Sequence, residues 1–477
     1  MKPFTRTALT LCLPFGAYVL TGCAPMIPKY SQPAAPVPQA WATPAASAAT
    51  AKPGEKPIAQ LPWQDFFVDP QLRQLIALAL DNNRDLRIAA LNIERTRALF
   101  QIRSGDLLPK VDGSASPGYQ RLPEDFSGTG HAKIVEQYTV GLGVSAYELD
   151  FFGRVRSLKE QALEQFLATE QAKRSVRVSL VAQVASGYLN LAADRERLQL
   201  ALATLASQQS SYQITKRRFE AGVANGLAVS QAETSVQAAR ADIARYTALV
   251  AQDANGLSLV VGSPLPAELS ATIFSDTLTS LPELSPGLPS EVLLQRPDIL
   301  QAEGLLKGYN ANIGAARAAF FPRITLLSSL GFGSGQLSDL FSRGSLAWSF
   351  IPRLTVPIFD AESNKTNLKV AEVDRDIALV QYEKAIQIAF REVADALAQR
   401  DTIIDQLTAQ QALVAASAES LRLSQARFDQ GIDSYLGVLD SQRALYGAQQ
   451  NLITVRQARL SNLATLYKVL GGGGAEG

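Results

Sequence analysis

The sequence has little of the chemistry that metal sites and enzymes use, since its 477 residues include only two cysteines and one histidine. With His131 as the only histidine, neither a Cys/His metal site nor a histidine-activated nucleophile can be built. The net charge is +1 and 19% of the residues are charged, which excludes the concentrated basic face that nucleic-acid binding requires. We therefore expect no metal, no nucleic-acid partner and no enzymatic activity, although paired carboxylates remain formally open.

The first 22 residues have the pattern of a secretory signal. Lys2 and Arg6 precede an apolar stretch from Ala8 to Leu20, and small residues follow it. The order Leu20-Thr21-Gly22-Cys23 is similar to a bacterial lipobox, in which the signal is cut before the cysteine. The sequence therefore predicts export followed by lipidation.

The predicted lipidation site is Cys23, which would carry a diacylglycerol and an N-acyl chain and would need no other cofactor. Ala24 follows it, and by the resemblance to lipoproteins an alanine there permits transfer to the outer membrane, where the anchor would sit among its lipids. Because Cys12 lies in the removed segment, the mature chain can form no internal disulfide. The alternative is an ordinary signal peptide with an incidental cysteine.

The segment from Pro25 to Pro62 is rich in Pro, Ala, Ser and Thr, so it cannot bury a core and is either a tether or a strap. After it, no uninterrupted apolar run reaches the roughly 18 residues that a membrane-spanning helix needs. If the mature chain crosses a membrane, it must therefore use strands.

The chain is internally duplicated, and a duplication has to be recognised before any motif because it decides the fold. The segment Arg218–Val223 returns 209 positions later as Arg427–Ile432. Leu108-Pro109-Lys110 returns 213 positions later as Phe321-Pro322-Arg323. We predict six regions: a signal peptide (1–22), an acylated linker (23–62), a first repeat (63–262), an inter-repeat linker (263–289), a second repeat (290–471) and a flexible tail (472–477).

Most of each repeat has helical apolar spacing and a composition rich in Ala, Leu, Gln and Arg. In the first repeat the predicted helices are Leu86–Leu107, Arg154–Phe219 and Leu227–Val261. The middle helix, of about 66 residues, would be about 100 Å long, and a helix of that length needs partners along it. The two shorter helices placed end to end nearly match it, and small Ala and Ser residues favour coiled-coil packing.

Each repeat also contains two strand-like segments between its first and second helix, introduced by Pro109 or Pro322. Along each segment, mostly apolar residues on one face alternate with Asp, Gly, Ser, Thr or Arg on the other face, as in membrane barrel strands of about ten residues. The positions on this face are Val111, Gly113, Ala115, Val140, Leu142, Val144, Ala146, Ile324, Leu326, Leu330, Leu346, Trp348, Phe350, Leu354 and Val356. The predicted strands span about 110–119, 139–149, 323–333 and 346–356, with exposed loops at 121–137 and 334–345.

Four strands per chain cannot close a sheet in lipid, because single-chain bacterial barrels begin at about eight strands. Two copies would give an eight-stranded barrel filled by side chains, whereas three would give twelve strands and room for a lumen. The predicted fold class is an α+β membrane protein, an oligomer of internally duplicated protomers with four β-strands and long coiled-coil α-helices. The alternative is a soluble periplasmic scaffold whose amphipathic hairpins pack on its own helices.

Three stretches resemble the outer membrane factor (TolC-like) family, in particular its lipoprotein branch of OprM- and NodT-like channels. They are Trp63–Phe67 with Asp69-Pro70, Arg296–Ile299 continuing through Ile313–Pro322, and Gly431–Arg443. The resemblance implies a homotrimer with a twelve-stranded β-barrel continued by an α-helical periplasmic barrel. It also implies an exit duct of a tripartite efflux pump, with a periplasmic adaptor protein and an inner-membrane RND-type (resistance-nodulation-division) transporter as partners.

The resemblance places function at the turns after the two long helices, where hairpin tips close the tunnel and meet the adaptor. The candidate adaptor contacts are Arg218, Gly222, Leu227, Arg427, Gly431 and Leu436. For the two glycines, the simpler interpretation is that they end helices at positive φ.

The candidate periplasmic gate is Leu436 with Asp440, which share one helix face because they are four residues apart. Threefold symmetry would turn each into a ring, and a leucine ring can occlude a pore while an aspartate ring can select or bind cations. The first repeat has Leu227 and Gln231 at the corresponding positions, so only the second supplies the acid. The simpler interpretation of Asp440 is a solvated carboxylate near a helix start.

Three other interpretations stay open at this point. An outer-membrane channel of a type I secretion system would share the duct architecture, and a periplasmic scaffold would lack the pore. An envelope enzyme with paired carboxylates would need a compact pocket, which long repeated helices do not provide. The transported substrate cannot be inferred from the residues.

Overall fold

The structure is a computed structural model that describes residues 25–41, 61–128, 130–266 and 290–473, so Cys23 lies outside the described residues. The chain divides into two compact units. Unit 1 comprises Met1–Ala34, Asn92–Glu170 and Gln301–Tyr382, and unit 2 comprises Ala35–Leu91, Gln171–Leu300 and Glu383–Gly477. Each unit therefore contains parts of both halves of the duplicated sequence.

The described residues form helices and four strands. The helices are α1 (Trp63–Phe66), α2 (Pro70–Asn82), α3 (Arg84–Gly105), α4 (Arg154–Glu220), α5 (Gly226–Val261), α6 (Pro297–Ala318), α7 (Ser363–Asp429) and α8 (Tyr435–Val469). The strands are β1 (Val111–Leu122), β2 (Lys133–Leu149), β3 (Arg323–Ser334) and β4 (Leu346–Thr355). Short 3-10 turns occur at Glu124–Phe126, Ser290–Gln295 and Leu337–Asp339.

The two long helices, α4 and α7, contain 67 residues each. Neither contains proline, and Gly187 of α4 is the only glycine in the two, so little in the sequence opposes an unbroken helix. α4 begins at Arg154, as predicted, and ends one residue beyond the predicted Phe219. Among the described residues, no helix combines the length and apolar character needed to cross a membrane.

α2 and α3 are separate helices because the backbone leaves the helical conformation at Asn83, between them. Its backbone is extended, with φ −63° and ψ 132°. Its side-chain oxygen accepts a hydrogen bond from the Leu86 N–H at 2.9 Å and so caps α3. Its side-chain amide donates to the Val260 carbonyl at 2.8 Å, near the end of α5. Helix α2 was not anticipated from the sequence.

The four strands form one antiparallel sheet in the order β1-β2-β3-β4, within unit 1. Directly opposed residues share a face, and the register places Leu142 opposite Leu330 and Leu330 opposite Trp348. These three side chains are all more than half exposed in the single protomer. On the other face Ser329 lies opposite Ser349, and their hydroxyls are 2.7 Å apart. The sheet thus has one apolar and one polar face, as the alternation predicted.

Two details of the predicted strands are wrong. A β-bulge between Val144 and Tyr147 shifts the register, so Tyr147 rather than Ala146 lies opposite Leu326 on the apolar face. Residues 121–137 are not a loop throughout, because β1 continues to Leu122 and β2 begins at Lys133. The ladder extends through polar residues there because it needs only backbone donors and acceptors.

The main core of unit 2 contains the aromatic residues of the Trp63–Phe67 stretch. Phe66 is fully buried, and its ring centroid lies 4.6 Å from that of Tyr467. Phe67 packs edge-on against the same tyrosine at 5.5 Å. Tyr188 of α4 is also buried in this cluster. The stretch therefore joins the first repeat to the end of the second by apolar and aromatic packing.

The N-terminal segment is bound to helices and is therefore a strap over residues 25–41. In unit 1 the Tyr30 hydroxyl donates to Glu303 at 3.0 Å, and the Asn310 amide donates to the Pro28 carbonyl at 2.8 Å. In unit 2 Trp41 stacks on Phe390 with ring centroids 5.2 Å apart. The Trp41 indole N–H also donates to the Phe390 carbonyl at 3.1 Å.

Candidate functional site

The two turns that follow the long helices have the same geometry. Gly222 has φ +74° and Gly431 has φ +72°, in the left-handed region that favours glycine. In the first turn the Gly222 N–H donates to the Phe219 carbonyl at 2.9 Å, and the next N–H donates to the Arg218 carbonyl at 2.8 Å. The second turn repeats both bonds around Gly431, each at 2.9 Å. Both helices thus end in Schellman motifs, and the duplication extends to the tips.

The tips of unit 2 are held by contacts between the two repeats. The Arg218 guanidinium lies over the Phe428 ring, with 4.4 Å between its carbon and the ring centroid. Phe428 also contacts the Tyr435 ring at 5.3 Å. Tyr435 belongs to a small buried cluster with Ala232, Val438 and Leu439. Arg218 therefore has a contact within the protomer, which no local sequence pattern predicted.

Arg427, the equivalent of Arg218 in the second repeat, makes a different contact. Its guanidinium donates twice to the Asp433 carboxylate, at 2.5 and 3.0 Å. This hydrogen bonding lowers the pKa of the Asp433 carboxyl and raises the pKa of the Arg427 guanidinium. The first repeat has Ala224 at the position of Asp433, so the two tips share a backbone but differ in charge.

The gate candidates lie on the first turns of α8. Leu436 is 48% exposed, and the Asp440 side chain is 65% exposed with Arg443 at 3.7 Å. Val438, which lies on the opposite face of the helix, and Leu439, which lies beside the exposed face, are both fully buried. The structure therefore places Leu436 and Asp440 together on one open face, as their spacing predicted, next to the Gly431 turn.

The first repeat presents a related face without an acid. Leu227, in the first turn of α5, is 65% exposed. The Asn225 side chain caps this helix by accepting a hydrogen bond from the Ala228 N–H at 2.9 Å. Gln231 occupies the position that corresponds to Asp440. The asymmetry between the repeats is thus retained in the folded chain.

A polar link between α5 and α8 was missed from the sequence. The Tyr446 hydroxyl donates to Asp242 at 2.9 Å, and Arg245 pairs with the same carboxylate at 2.9 Å. Burial, followed by the bond to Asp242, raises the pKa of Tyr446. Tyr446 and Asp242 are 204 residues apart, and no local pattern marks them as partners.

At one end of the sheet, ion pairs surround a cavity of about 260 Å³ in unit 1. Glu148 accepts two hydrogen bonds from Arg154, at 2.9 and 2.6 Å, and pairs with Arg323 at 2.7 Å. Asp106 pairs with Lys110 at 2.9 Å, and this bond lowers the pKa of the Asp106 carboxyl. The pair of Glu148 with Arg154 joins β2 to α4, and its pair with Arg323 joins β2 to β3. Over the described ranges, no group of His, Cys, Asp and Glu has the arrangement of a metal site.

A sheet with one apolar and one polar face, joined to helical hairpins with two equivalent tips, defines the protomer of a membrane channel. The chain belongs to the outer membrane efflux protein family, whose model matches residues 75–263 and 288–472, one stretch in each repeat.

Individual relatives are similar over almost the whole chain. A toluene efflux pump outer membrane protein of Pseudomonas putida, TtgC, is 47% identical over 469 residues, covering 98% of this chain and 96% of that protein. A membrane protein crystal structure from Pseudomonas aeruginosa is 42% identical, with a TM-score of 0.88 over 94% of this chain and 100% of that one. The open state of the MtrE outer membrane channel of Neisseria gonorrhoeae is 37% identical, with a TM-score of 0.83 over 94% and 98%.

These findings confirm the predicted fold class, a trimer of duplicated four-stranded protomers. They also confirm the location in the outer membrane, with an extension into the periplasm. The protein is an efflux channel, and its relatives favour this interpretation over type I secretion and over a scaffold without a pore. The family consists of channels and not of enzymes.

Proposed function

We propose that this efflux channel is a passive duct without catalytic activity, closed at its periplasmic end by Leu436 and Asp440 and opened by an adaptor protein that contacts its tips. Energy would come from an inner-membrane RND-type transporter. The observation that carries the gate proposal is the orientation of one helix face. Leu436 and Asp440 are exposed side by side on α8, while Val438 is buried on the opposite side of the helix.

The chemistry of this face suits a gate. In a trimer each position occurs three times, so Leu436 would form an apolar constriction that resists hydration. Three Asp440 carboxylates would repel one another and would bind cations in the closed state. Arg443, at 3.7 Å, offsets part of this charge within each protomer. Because the pair is solvent-exposed, it stabilises the fold little and leaves the carboxylate available.

The experiment is single-channel recording of purified trimers in planar bilayers. We expect the double variant Leu436→Ala, Asp440→Ala to raise the conductance of the closed state. The matched control is Leu227→Ala, Gln231→Ala, which removes the corresponding pair of the first repeat and should change conductance less. A double variant with the closed-state conductance of the unmodified protein would refute the gate.

The proposed adaptor contacts are the exposed parts of the two tips. Gly222 and Gly431 shape the turns, and Leu227 is an exposed apolar side chain. Arg218 and Arg427 are anchored to Phe428 and Asp433, so they would support the tip surface as well as touch the adaptor. Co-purification of tagged channel with its adaptor tests this contact. An adaptor that is captured equally well by a Leu227→Asp variant would exclude that residue.

The proposed lipid anchor is Cys23. Supporting this proposal is the order Leu20-Thr21-Gly22-Cys23, which ends the apolar signal segment as in a lipobox. Mass spectrometry of the purified protein should detect a diacylglycerol and an N-acyl chain, which Cys23→Ser would remove. A mature N-terminus that is processed elsewhere would contradict the lipidation.

The substrate depends on the transporter that delivers it. A deletion strain should therefore be tested against a panel of antibiotics, metals and organic solvents, with toluene included because a similar channel is named for toluene efflux. Increased sensitivity that the cloned gene restores would identify the class. Full tolerance to every member of the panel would argue against a role in drug or solvent efflux.

A further inference from the structure

Within the described residues, the sheet of unit 1 has two free edges, β1 and β4, and its internal pairing shows how they can be used. At the centre of the sheet β2, the second strand of the first repeat, pairs with β3, the first strand of the second repeat. If β4 of one copy pairs with β1 of the next copy, the second strand of one repeat again lies beside the first strand of another repeat. The inference below rests on the trimeric assembly of the duct and adds a specific contact to it.

The central pairing is accompanied by an aromatic contact where strands meet helices. Phe152, between β2 and α4, stacks on Phe321, which directly precedes Pro322 and β3. The ring centroids are 4.7 Å apart and the ring planes differ by 22°. Gly153 follows with φ +74°, so the chain turns sharply at this contact into the long helix.

Large apolar residues also occupy the two equivalent connections of the other repeat. Leu108 precedes Pro109 as Phe321 precedes Pro322, in the stretch that returns 213 positions later. Ile358 and Phe359 lie in the connection between β4 and α7, as Phe151 and Phe152 lie between β2 and α4, although the 209-residue offset of the helices pairs Phe152 with Ala361. The turn after Phe359 also passes through positive φ, +52° and +64° at residues 361 and 362.

These residues are more exposed within the protomer than Phe321, which is 40% exposed. Ile358 is 95% exposed, Phe359 is 90% exposed and Leu108 is 68% exposed. Phe359 lies at the end of one free edge strand, and Leu108 lies at the start of the other. Exposed large apolar side chains at two different edges are what a head-to-tail ring of identical copies requires.

We infer that Phe359 of one protomer, with Ile358 beside it, packs on Leu108 of the next protomer and forms the subunit seam where barrel strands and helices join. The seam is the counterpart of the stack between Phe152 and Phe321. It differs in that one ring is replaced by a leucine. It also lacks a counterpart of the pair between Glu148 and Arg323, because β4 ends in Leu354 and Thr355. The seam is therefore held by apolar contact.

Thiol cross-linking tests this contact, because the natural sequence has only Cys12 and Cys23. The double variant Leu108→Cys, Phe359→Cys is purified as a trimer and treated with a short bis-maleimide. We expect covalent dimers and trimers on a denaturing gel, against none from either single variant. The control is Phe126→Cys, Phe359→Cys, since Phe126 is similarly exposed at 79% but lies between β1 and β2.

Dimers and trimers at the level of the control, from channels that still conduct in planar bilayers, would overturn the seam and leave the proposed duct intact. That result would assign Ile358 and Phe359 to lipid contact instead. Because cysteine variants can assemble poorly, Phe359→Glu is a second variant, with Phe126→Glu as control. We expect Phe359→Glu alone to shift native trimer toward monomer with unchanged helix content, and an equally stable trimer would contradict the inference.

Discussion

Arg296 offers a test of how unit 2 is held together, because its buried guanidinium joins three parts of the chain. Its side chain is 7% exposed and pairs with Asp298 at 2.6 Å and with Glu392 at 2.9 Å. It also donates to the Val469 carbonyl at 2.8 Å. Removing one partner of a fully buried ion pair costs about 3–5 kcal/mol. Because the two carboxylates here are 38% and 31% exposed, water would solvate them after the substitution, and we expect about 2–3 kcal/mol for Arg296→Met.

The assay is denaturant or thermal unfolding of the purified protein, followed by circular dichroism. Arg296→Met should lower the midpoint clearly, and Arg296→Lys should recover only part of the loss, because an ammonium cannot reproduce the fork of bonds. A midpoint unchanged by Arg296→Met would refute the reasoning. Full recovery by Arg296→Lys would show that charge alone, and not the geometry of the guanidinium, stabilises this region.

Two further predictions concern unit 2. Burial and then the neighbouring charge of Asp194 raise the pKa of Asp253 from 3.8 to about 6, with Arg197 opposing the shift. A raised acid pKa means that the folded state holds the proton more tightly, so this contribution to stability is lost as pH rises from about 4 to 6. This contribution amounts to about 1 kcal/mol after allowance for solvent screening. Asp253→Asn should flatten the decrease in unfolding free energy across that pH range. An unchanged dependence of the unfolding free energy on pH would contradict the assignment. Gly431→Ala should cost about 1–2 kcal/mol of stability because the φ of Gly431 is +72°, whereas Gly447→Ala inside α8 should be neutral or stabilising in the same unfolding assay. Equal effects of the two substitutions would show that the backbone φ does not determine the loss of stability.

The sequence alone predicts the elements whose pattern is repeated and long. α4 has no proline and a continuous apolar spacing, so its start at Arg154 can be located. The alternation along β4 assigns Trp348 to one face and Ser349 to the other without knowledge of a partner strand. The gate candidates Leu436 and Asp440 share a face because helical geometry requires it. In each case the prediction needs only the helical or strand periodicity of the local sequence.

Features that depend on residues distant in sequence could not be predicted. The bulge before Tyr147 arises from the pairing of β2 with β3, and nothing in β2 alone distinguishes Ala146 from the positions before it. The stacking of Arg218 on Phe428 and the strap contact between Tyr30 and Glu303 join segments more than 200 residues apart. The duplication locates such contacts only where both repeats use the same residue types.

In a closed barrel the polar face of the sheet would line the conducting lumen and the apolar face would meet lipid. Ser349 and Phe350 are neighbours on β4 that lie on opposite faces. In planar bilayers, a charged and membrane-impermeant thiol reagent should reduce the current through Ser349→Cys channels and leave Phe350→Cys channels and the unmodified protein unaffected. Inhibition of Phe350→Cys with no effect on Ser349→Cys would contradict the account.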